Sequence, residues 1–249
     1  MKVAQDFLIE IPVLRFSDQI TKARQILRDD RFREVYIVDD VKKLLGYIDL
    51  TDGLRVTATK SNVTVEGYVK DAPEVHAADA IEQVAREIKK FRTDSAAVVD
   101  GRRHITGGVL LSDLFPVIIS GHELLGSVAD HMSRNVVVAN TTDTVQHILT
   151  LIGESGFSAF PVQKKKKLVG IVSRIDILRG GRVRSALAHA AQTPVEKIMT
   201  KDVISIGPEE KISTAGDLLV HHDVSRLPVI DKESIVGIVD RHDVLAGLR

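Results

Sequence analysis

The chain contains no cysteine and no tryptophan, and its aromatic content is 4%. Without cysteine there can be no disulfide, no thiolate metal site and no cysteine nucleophile, a usage that suits a reducing compartment. With so few aromatics, the stacking platforms that hold single-stranded nucleic acid are scarce. Lys+Arg and Asp+Glu both number 34, so the formal net charge is +0. No global electrostatic drive toward nucleic acid or an anionic membrane follows. No apolar run approaches the roughly 18–20 residues of a membrane helix. Asp6 and Glu10 fall where a secretory signal needs its apolar run. The expectation is a soluble cytoplasmic protein with no membrane partner. There is also no phosphate-loop or dinucleotide fingerprint, and no nucleophile elbow with Ser, His and Asp in order. We therefore expect no catalysis and no required cofactor. His221-His222-Asp223 lacks a further ligand at recognisable spacing, so no metal is expected either.

What is present is a repeat. The 249 residues are 44% hydrophobic and 27% charged, enough for real cores. Four segments start like a buried strand and end like the first turn of a helix: "GYIDLTDGL" (46–54), "GGVLLSDLF" (107–115), "GIVSRIDIL" (170–178) and "GIVDRHDVL" (237–245). Their glycines are 61, 63 and 67 residues apart. Upstream of each lies an apolar stripe at helical spacing: Ile20, Ala23, Leu27; Ile81, Val84, Ala85, Ile88; Val145, Ile148, Leu149, Ile152; and Ile212, Ala215, Gly216, Leu219. Arg24 interrupts the first. From the leading residue of each stripe to its glycine is 26, 26, 25 and 25 residues, a register that chance would not hold four times. Between stripe and glycine sits a β-rich run, such as Val35-Tyr36-Ile37-Val38 or Leu227-Pro228-Val229-Ile230. Each unit reads strand–helix–strand–turn–strand–helix. Thr142 and Asp143 suit the cap region before Val145, and Pro208, Glu209 and Glu210 suit a first turn. Linkers are expected over 53–66, 115–130 and 180–195, the last with Gly180-Gly181 and a short Ala-rich helix from Ser185 to Ala191. One unit alone buries little, so repeats 1 and 2 (1–120) and repeats 3 and 4 (121–249) should pair as modules.

These residues resemble a known family. "SRLPVIDKESIVGIVDRHDVL" (225–245), "SAFPVQKKKKLVGIVSRIDIL" (158–178) and the openings "VADHMSRNVVVA" (128–139) and "VEKIMTKDVISI" (195–206) are similar to CBS domains, the regulatory repeat named after cystathionine β-synthase. The likeness extends over the whole chain. It is weaker in repeats 1 and 2, which have Tyr36 and Ala97 where repeats 3 and 4 have proline. The resemblance implies an α+β fold of four CBS repeats (β-α-β-β-α) in two paired modules, arranged as a flat pseudo-symmetric disc, or a homodimer through those modules. It further implies clefts for adenine-containing ligands (AMP, ADP, ATP or S-adenosylmethionine). A hydroxyl three residues after the glycine would meet phosphate, and an Asp at +6 the ribose diol. The chemistry agrees: a helix N-terminus offers unpaired N–H groups, Ser adds a donor, and a carboxylate can accept two hydroxyls.

Carried over position by position, repeat 3 has the full pattern, Ser173 and Asp176, with Arg174 in reach of phosphate. On its adenine side stand Asn140 and Phe157-Ser158-Ala159, with Phe157 able to pack on the base. Repeats 1 and 4 keep Asp52 and Asp243 but carry Asp49 and Asp240 at +3, where a carboxylate repels phosphate. Those positions suit a ligand with a cation or no phosphate there, which keeps S-adenosylmethionine or a thionucleoside open. Repeat 2 has Leu110 at +3, then Ser112 and Asp113. Each of these Asp and Ser residues also has a plain reading as a helix cap. Lys164–Lys167 aligns with the turn "DKES" and reads as a hairpin turn. With Arg179, Arg182 and Arg184 it could instead form a basic patch for an acidic partner or nucleic acid, which zero net charge opposes. The expected function is a regulatory sensor acting on a protein partner that the sequence does not name.

Overall fold

The computed structural model describes residues 2–27, 31–55, 62–179 and 192–248. The expected Ser185–Ala191 helix, Gly180-Gly181, Arg182 and Arg184 lie outside the described residues, as does the side chain of Arg179. The chain divides into two units, Met1–Ile118 and Ile119–Arg249.

In the first unit, β1 (Val13–Arg15), α1 (Ile20–Ile26), β2 (Glu34–Val38), β3 (Leu44–Asp49) and α2 (Leu50–Arg55) form repeat 1. Repeat 2 has β4 (Glu74–Val75), α3 (Ile81–Phe91), β5 (Ser95–Val99), β6 (Ile105–Leu110) and α4 (Leu111–Gly121). In the second unit, after a helical turn α5 (Val128–His131), repeat 3 has β7 (Ala139–Asn140), α6 (Val145–Ser155), β8 (Ala159–Lys164), β9 (Lys167–Ser173) and α7 (Arg174–Arg179). Repeat 4 has α8 (Ile212–His221), β10 (Arg226–Asp231), β11 (Ser234–Asp240) and α9 (Arg241–Ala246). Each of the first three repeats makes a three-stranded sheet in sequence order, with its first strand parallel to the second and the second antiparallel to the third. The helical stripes are buried as their spacing predicts, Leu149 in part. Arg24, which interrupts the first stripe, is buried too: its side chain lies over Gly53, where an added Cβ would sit 3.0 Å from Arg24 Cγ.

Some expectations need correcting. The stretch 115–121 is helix and not linker, with Phe115 and Ile118 fully buried and Pro116 inside the helix. The cap of α6 is Thr144, whose side chain accepts from the His147 amide at 3.2 Å. Asp143 instead caps the Asn140 amide at 2.7 Å. Pro208 precedes α8, whose N-cap is Lys211. The first strand of repeat 4 is reduced to one parallel bridge, Ile206 to Val229. Proline removes one hydrogen bond between the first and second strands of each repeat in the second unit. In the first unit, Tyr36 and Ala97 donate their amides to Pro12 and Pro73, each at 3.0 Å. Pro161 and Pro228 hold the matching places within β8 and β10 and have no N–H to give.

The four glycines are not at turns. Each lies inside the last strand of its repeat, and the reason is a crossing. Short helical turns at Ala4–Phe7, Val65–Tyr68, Val128–His131 and Val195–Lys197 precede the repeats. Their first residues are fully buried and recur at the same 61, 63 and 67 intervals as the glycines. The segment after each turn, the lead-in, crosses the last strand of the partner repeat: Ile9 bridges Gly108, Lys70 bridges Tyr47, Ser133 bridges Ile238 and Thr200 bridges Ile171. A Cβ at Gly46 would collide with Lys70 O, at Gly107 it would lie 2.7 Å from Ile9 O, and at Gly170 2.9 Å from Thr200 O. Glycine is needed for close backbone approach.

Candidate functional site

In repeat 3, β9 runs into α7 at Ser173. The Ser173 amide and hydroxyl both donate to Asp176 Oδ2 at 2.7 Å, and the Asp176 amide donates back to Ser173 Oγ at 3.3 Å. This reciprocal cap fixes the turn. Both bonds to the Asp176 carboxylate fall on Oδ2, so Oδ1 carries none among the described residues, and the side chain is half-buried. The hairpin register sets Ala159 opposite Ser173. The Arg174 amide donates to Ser158 O at 3.0 Å and its guanidinium to Gly156 O at 3.2 Å. Phe157, in the loop between α6 and β8, is 37% exposed. Ser173, Arg174, Asp176 and 157–159 are thus brought together. Asn140 is not: its partner on β8 is Gln163, four residues and roughly 13 Å along the strand from Ala159.

The other repeats use the same turn differently. In repeat 4, Asp240 Oδ1 accepts from the His242 and Asp243 amides at 2.9 and 3.1 Å, and Asp243 Oδ2 from the Asp240 amide at 3.0 Å. In repeat 2, Ser112 and Asp113 are exposed, with the Ser112 hydroxyl 3.4 Å from Asp113 Oδ1. In repeat 1, Asp49 Oδ1 accepts from the Thr51 and Asp52 amides at 2.6 and 3.2 Å. A cation joins them: Lys70 Nζ lies 3.0 Å from Asp49 Oδ2 and 2.7 Å from Asp52 Oδ2. Asp52 is 1% exposed, and burial, then the Asp49 charge, raise its pKa against the pull of Lys70. The lysine comes from the lead-in of repeat 2.

Nearby, Glu34 of β2 reaches across to repeat 2. Its Oε1 accepts from the Asp94 amide at 2.9 Å, and Oε2 lies 2.7 Å from Ser95 Oγ, which is 2.9 Å from the Tyr36 hydroxyl. Burial, then the charges of Asp94 and Asp49, push Glu34 up to about 8. A groove of about 930 Å³ follows β1 and the β2–β3 turn, but no residue of the four turns lines it. Four of its charged residues pair locally, Lys22 with Asp18 at 3.1 Å and Arg15 with Asp40 at 3.8 Å. Among the described residues no cluster of His, Asp or Glu could hold a metal ion, and no helix is long and apolar enough to cross a membrane. Sequence reasoning missed the lead-in residues, Lys70 and Thr200 above all. Their signal was the recurrence of Ala4, Val65, Val128 and Val195 in step with the glycines.

The model of the CBS domain matches residues 128–181 and 195–249. The CBS domain-containing protein YhcV of Bacillus subtilis is 31% identical over 121 residues, 48% of this chain and 84% of that one. The chain belongs to the CBS-domain family. Protein MJ1225 of Methanocaldococcus jannaschii is 22% identical over 280 residues, with 98% of this chain and 97% of that protein aligned. Its crystal structure superposes with a TM-score of 0.82 at 19% identity, over 98% of this chain and 99% of that one. That likeness shows the fold of four CBS repeats from end to end. MJ0188 of the same organism is 33% identical over 121 residues, 47% of this chain, and the match spans 42% of that protein's length.

Proposed function

We propose that the protein is a regulatory sensor, without catalysis of its own, that binds an adenine nucleotide in the second CBS pair. AMP, ADP and ATP are the ligands we favour. Ser173 would give its hydroxyl to phosphate and Asp176 would take the ribose hydroxyls, with Arg174 and Phe157-Ser158-Ala159 around them. The observation that carries this reading is the state of Asp176. It is half-buried, held in place through Oδ2, and among the described residues Oδ1 has no partner and is placed to accept a hydroxyl. Thr200 of the crossing lead-in stands beside the same strand, opposite Ile171, and adds a further hydroxyl. A bound nucleotide would favour one arrangement of the pair, and a protein partner would read it. The shift cannot exceed the ligand's differential affinity for the two arrangements.

Calorimetric titration with AMP, ADP, ATP and S-adenosylmethionine tests this. Asp176→Ala should weaken nucleotide binding by about tenfold or more, the worth of a charge-assisted hydrogen bond. Ser173→Ala should weaken phosphate-bearing ligands more than adenosine. Unchanged nucleotide affinity in both variants would rule the assignment out, and preference for S-adenosylmethionine would replace the ligand class.

A further inference from the structure

Each lead-in places one residue opposite the strand position after the glycine: Ile9, Lys70, Ser133 and Thr200. Two residues further along that strand, on the same face, stands the +3 residue of the partner repeat. The register thus matches Ile9 with Leu110, Lys70 with Asp49, Ser133 with Asp240 and Thr200 with Ser173. Apolar meets apolar in the first pair, ammonium meets carboxylate in the second, and hydroxyl meets hydroxyl in the last. In the second pair the side chains bond directly. Lys70 Nζ takes Asp49 Oδ2 at 3.0 Å and Asp52 Oδ2 at 2.7 Å, and stands 5.7 Å from the centre of the Tyr47 ring.

We propose that Lys70 is a specificity-determining residue whose ammonium occupies the ligand position of repeat 1 and closes it to adenine nucleotides. The proposal rests on the reading that the +3 and +6 positions take such ligands. Asp52 corresponds to Asp176, but where Asp176 Oδ2 meets the Ser173 hydroxyl Asp52 Oδ2 meets the Lys70 ammonium, and its side chain is 1% exposed while that of Asp176 is half-buried. A ribose diol would have to displace the ammonium and strand two adjoining carboxylates, one of them buried. Asp49 would at the same time repel the phosphate. The lysine and the aspartate at +3 form one device: the ammonium takes the acceptor that ribose hydroxyls would use, the carboxylate disfavours phosphate, and each offsets the charge of the other.

The test is equilibrium dialysis with labelled AMP on the full chain, comparing wild type with Asp49→Ser/Lys70→Thr, which gives repeat 1 the residues that repeat 3 has. The double variant should bind an additional equivalent of AMP per chain, and adding Asp52→Ala should remove it. If wild type binds through Ser173 and Asp176 and the double variant gains nothing, the role of Lys70 is refuted while the nucleotide reading stands. If wild type binds nothing and the double variant binds, the reading at repeat 3 falls and the role of Lys70 stands. If neither binds, both fall. Should the double variant fail to fold, Lys70→Gln with adenosine as probe serves instead. It should gain adenosine binding that Asp52→Ala removes, and no gain refutes the proposal.

Discussion

Between repeats 1 and 2 the facing strands are filled by Tyr36 and Tyr47, buried with Ile11, Leu44, Ala97 and Val99. Between repeats 3 and 4 the matching positions carry Pro161 with Ile171 and Pro228 with Ile238, and both isoleucines stay half-buried. The first pair adds a polar lock across its repeats, Glu34 with Ser95 and Asp94, where the second has Ala159 and Arg226 at the places of Glu34 and Ser95. The hairpin tips differ in the same sense. In the first pair they join through backbone, with Lys43 bridging His104, the Leu44 amide donating to Arg103 O at 2.9 Å and the Ile105 amide to Lys42 O at 3.2 Å. In the second they meet through an ion pair of side chains, Lys167 Nζ to Glu233 Oε1 at 2.8 Å. One frame is filled by buried aromatic side chains and a polar lock in one copy and by half-buried aliphatic ones in the other, and the second is the one with Ser173.

The largest expected effect on stability comes from the lock. Glu34 keeps its proton to about pH 8 in the folded chain, against a reference value of 4.5. Between those values the folded state holds more protons than the unfolded one, so stability falls as pH rises through that window and is flat for this group outside it. Asp52, also raised by burial, acts in the same direction. Asp18, where burial is outweighed by the Arg15 amide and Lys22, and Asp100, lowered by the His104 amide, act below the ordinary carboxylate value, where their contribution is lost as pH falls. The loss from Glu34 should be on the order of 4 kcal/mol. Urea unfolding at about pH 5 and about pH 8.5, for wild type and Glu34→Gln, measures it. Glu34→Gln should flatten the dependence, and hydrogen exchange should confine the alkaline loss to 2–118. An equal urea midpoint for wild type at both pH values would show that Glu34 is not buried as a neutral acid.

A smaller contrast lies in the crossings. At Gly46 an added Cβ meets the backbone oxygen of Lys70, whereas at Gly237 it meets the flexible end of Met132, with Ser133 O at 3.3 Å. Overpacking against backbone is hard to relieve, and a methionine side chain can move aside. Gly46→Ala should cost about 3 kcal/mol and Gly237→Ala about 1 kcal/mol, read from denaturant midpoints at constant slope. Equal costs would erase the difference between these two crossings.

The helical stripes, the strand runs and the four-fold register could be read from sequence because each is a local pattern of period or spacing. The crossings could not. Ser95 meets Glu34 across 61 residues and Lys70 meets Asp49 across 21, and neither contact has a periodic signature. The glycines were conspicuous in the sequence, but a glycine that ends a strand and one that lets another backbone pass read alike. Asn140 shows the opposite failure: the family resemblance carried it to the adenine side of the site, and the parallel pairing of β7 with β8 set it at the far end of the strand. At the candidate site, Ser173 and Asp176 were legible because a three-residue spacing across a strand-to-helix turn is local. Thr200 belongs to another repeat and was not.

The smallest effect tests the hairpin tips. Lys167 and Glu233 have side chains 63% and 72% exposed, so their bond is screened by water and salt. Lys165, Lys166, Lys232 and Glu233 hold left-handed backbone at the two turns, conformations that glycine or asparagine would adopt more easily. Neither tip therefore draws much stability from its own turn. Lys167→Ala should cost less than about 0.5 kcal/mol, and raising the salt should shrink that difference, as the melting temperatures of the two chains would report. Since the ion pair is the contact that joins these tips, its loss should also raise amide exchange at 164–168 and 231–235 more than it lowers the melting temperature. In the first pair the tips are joined by backbone hydrogen bonds, so Lys43→Ala, which removes only a side chain, should leave exchange at 41–45 and 102–106 as it is. If exchange at both sets of tips answers equally to these substitutions, the second pair is no more adjustable than the first, and its freedom must come from the half-buried faces of Ile171 and Ile238 alone.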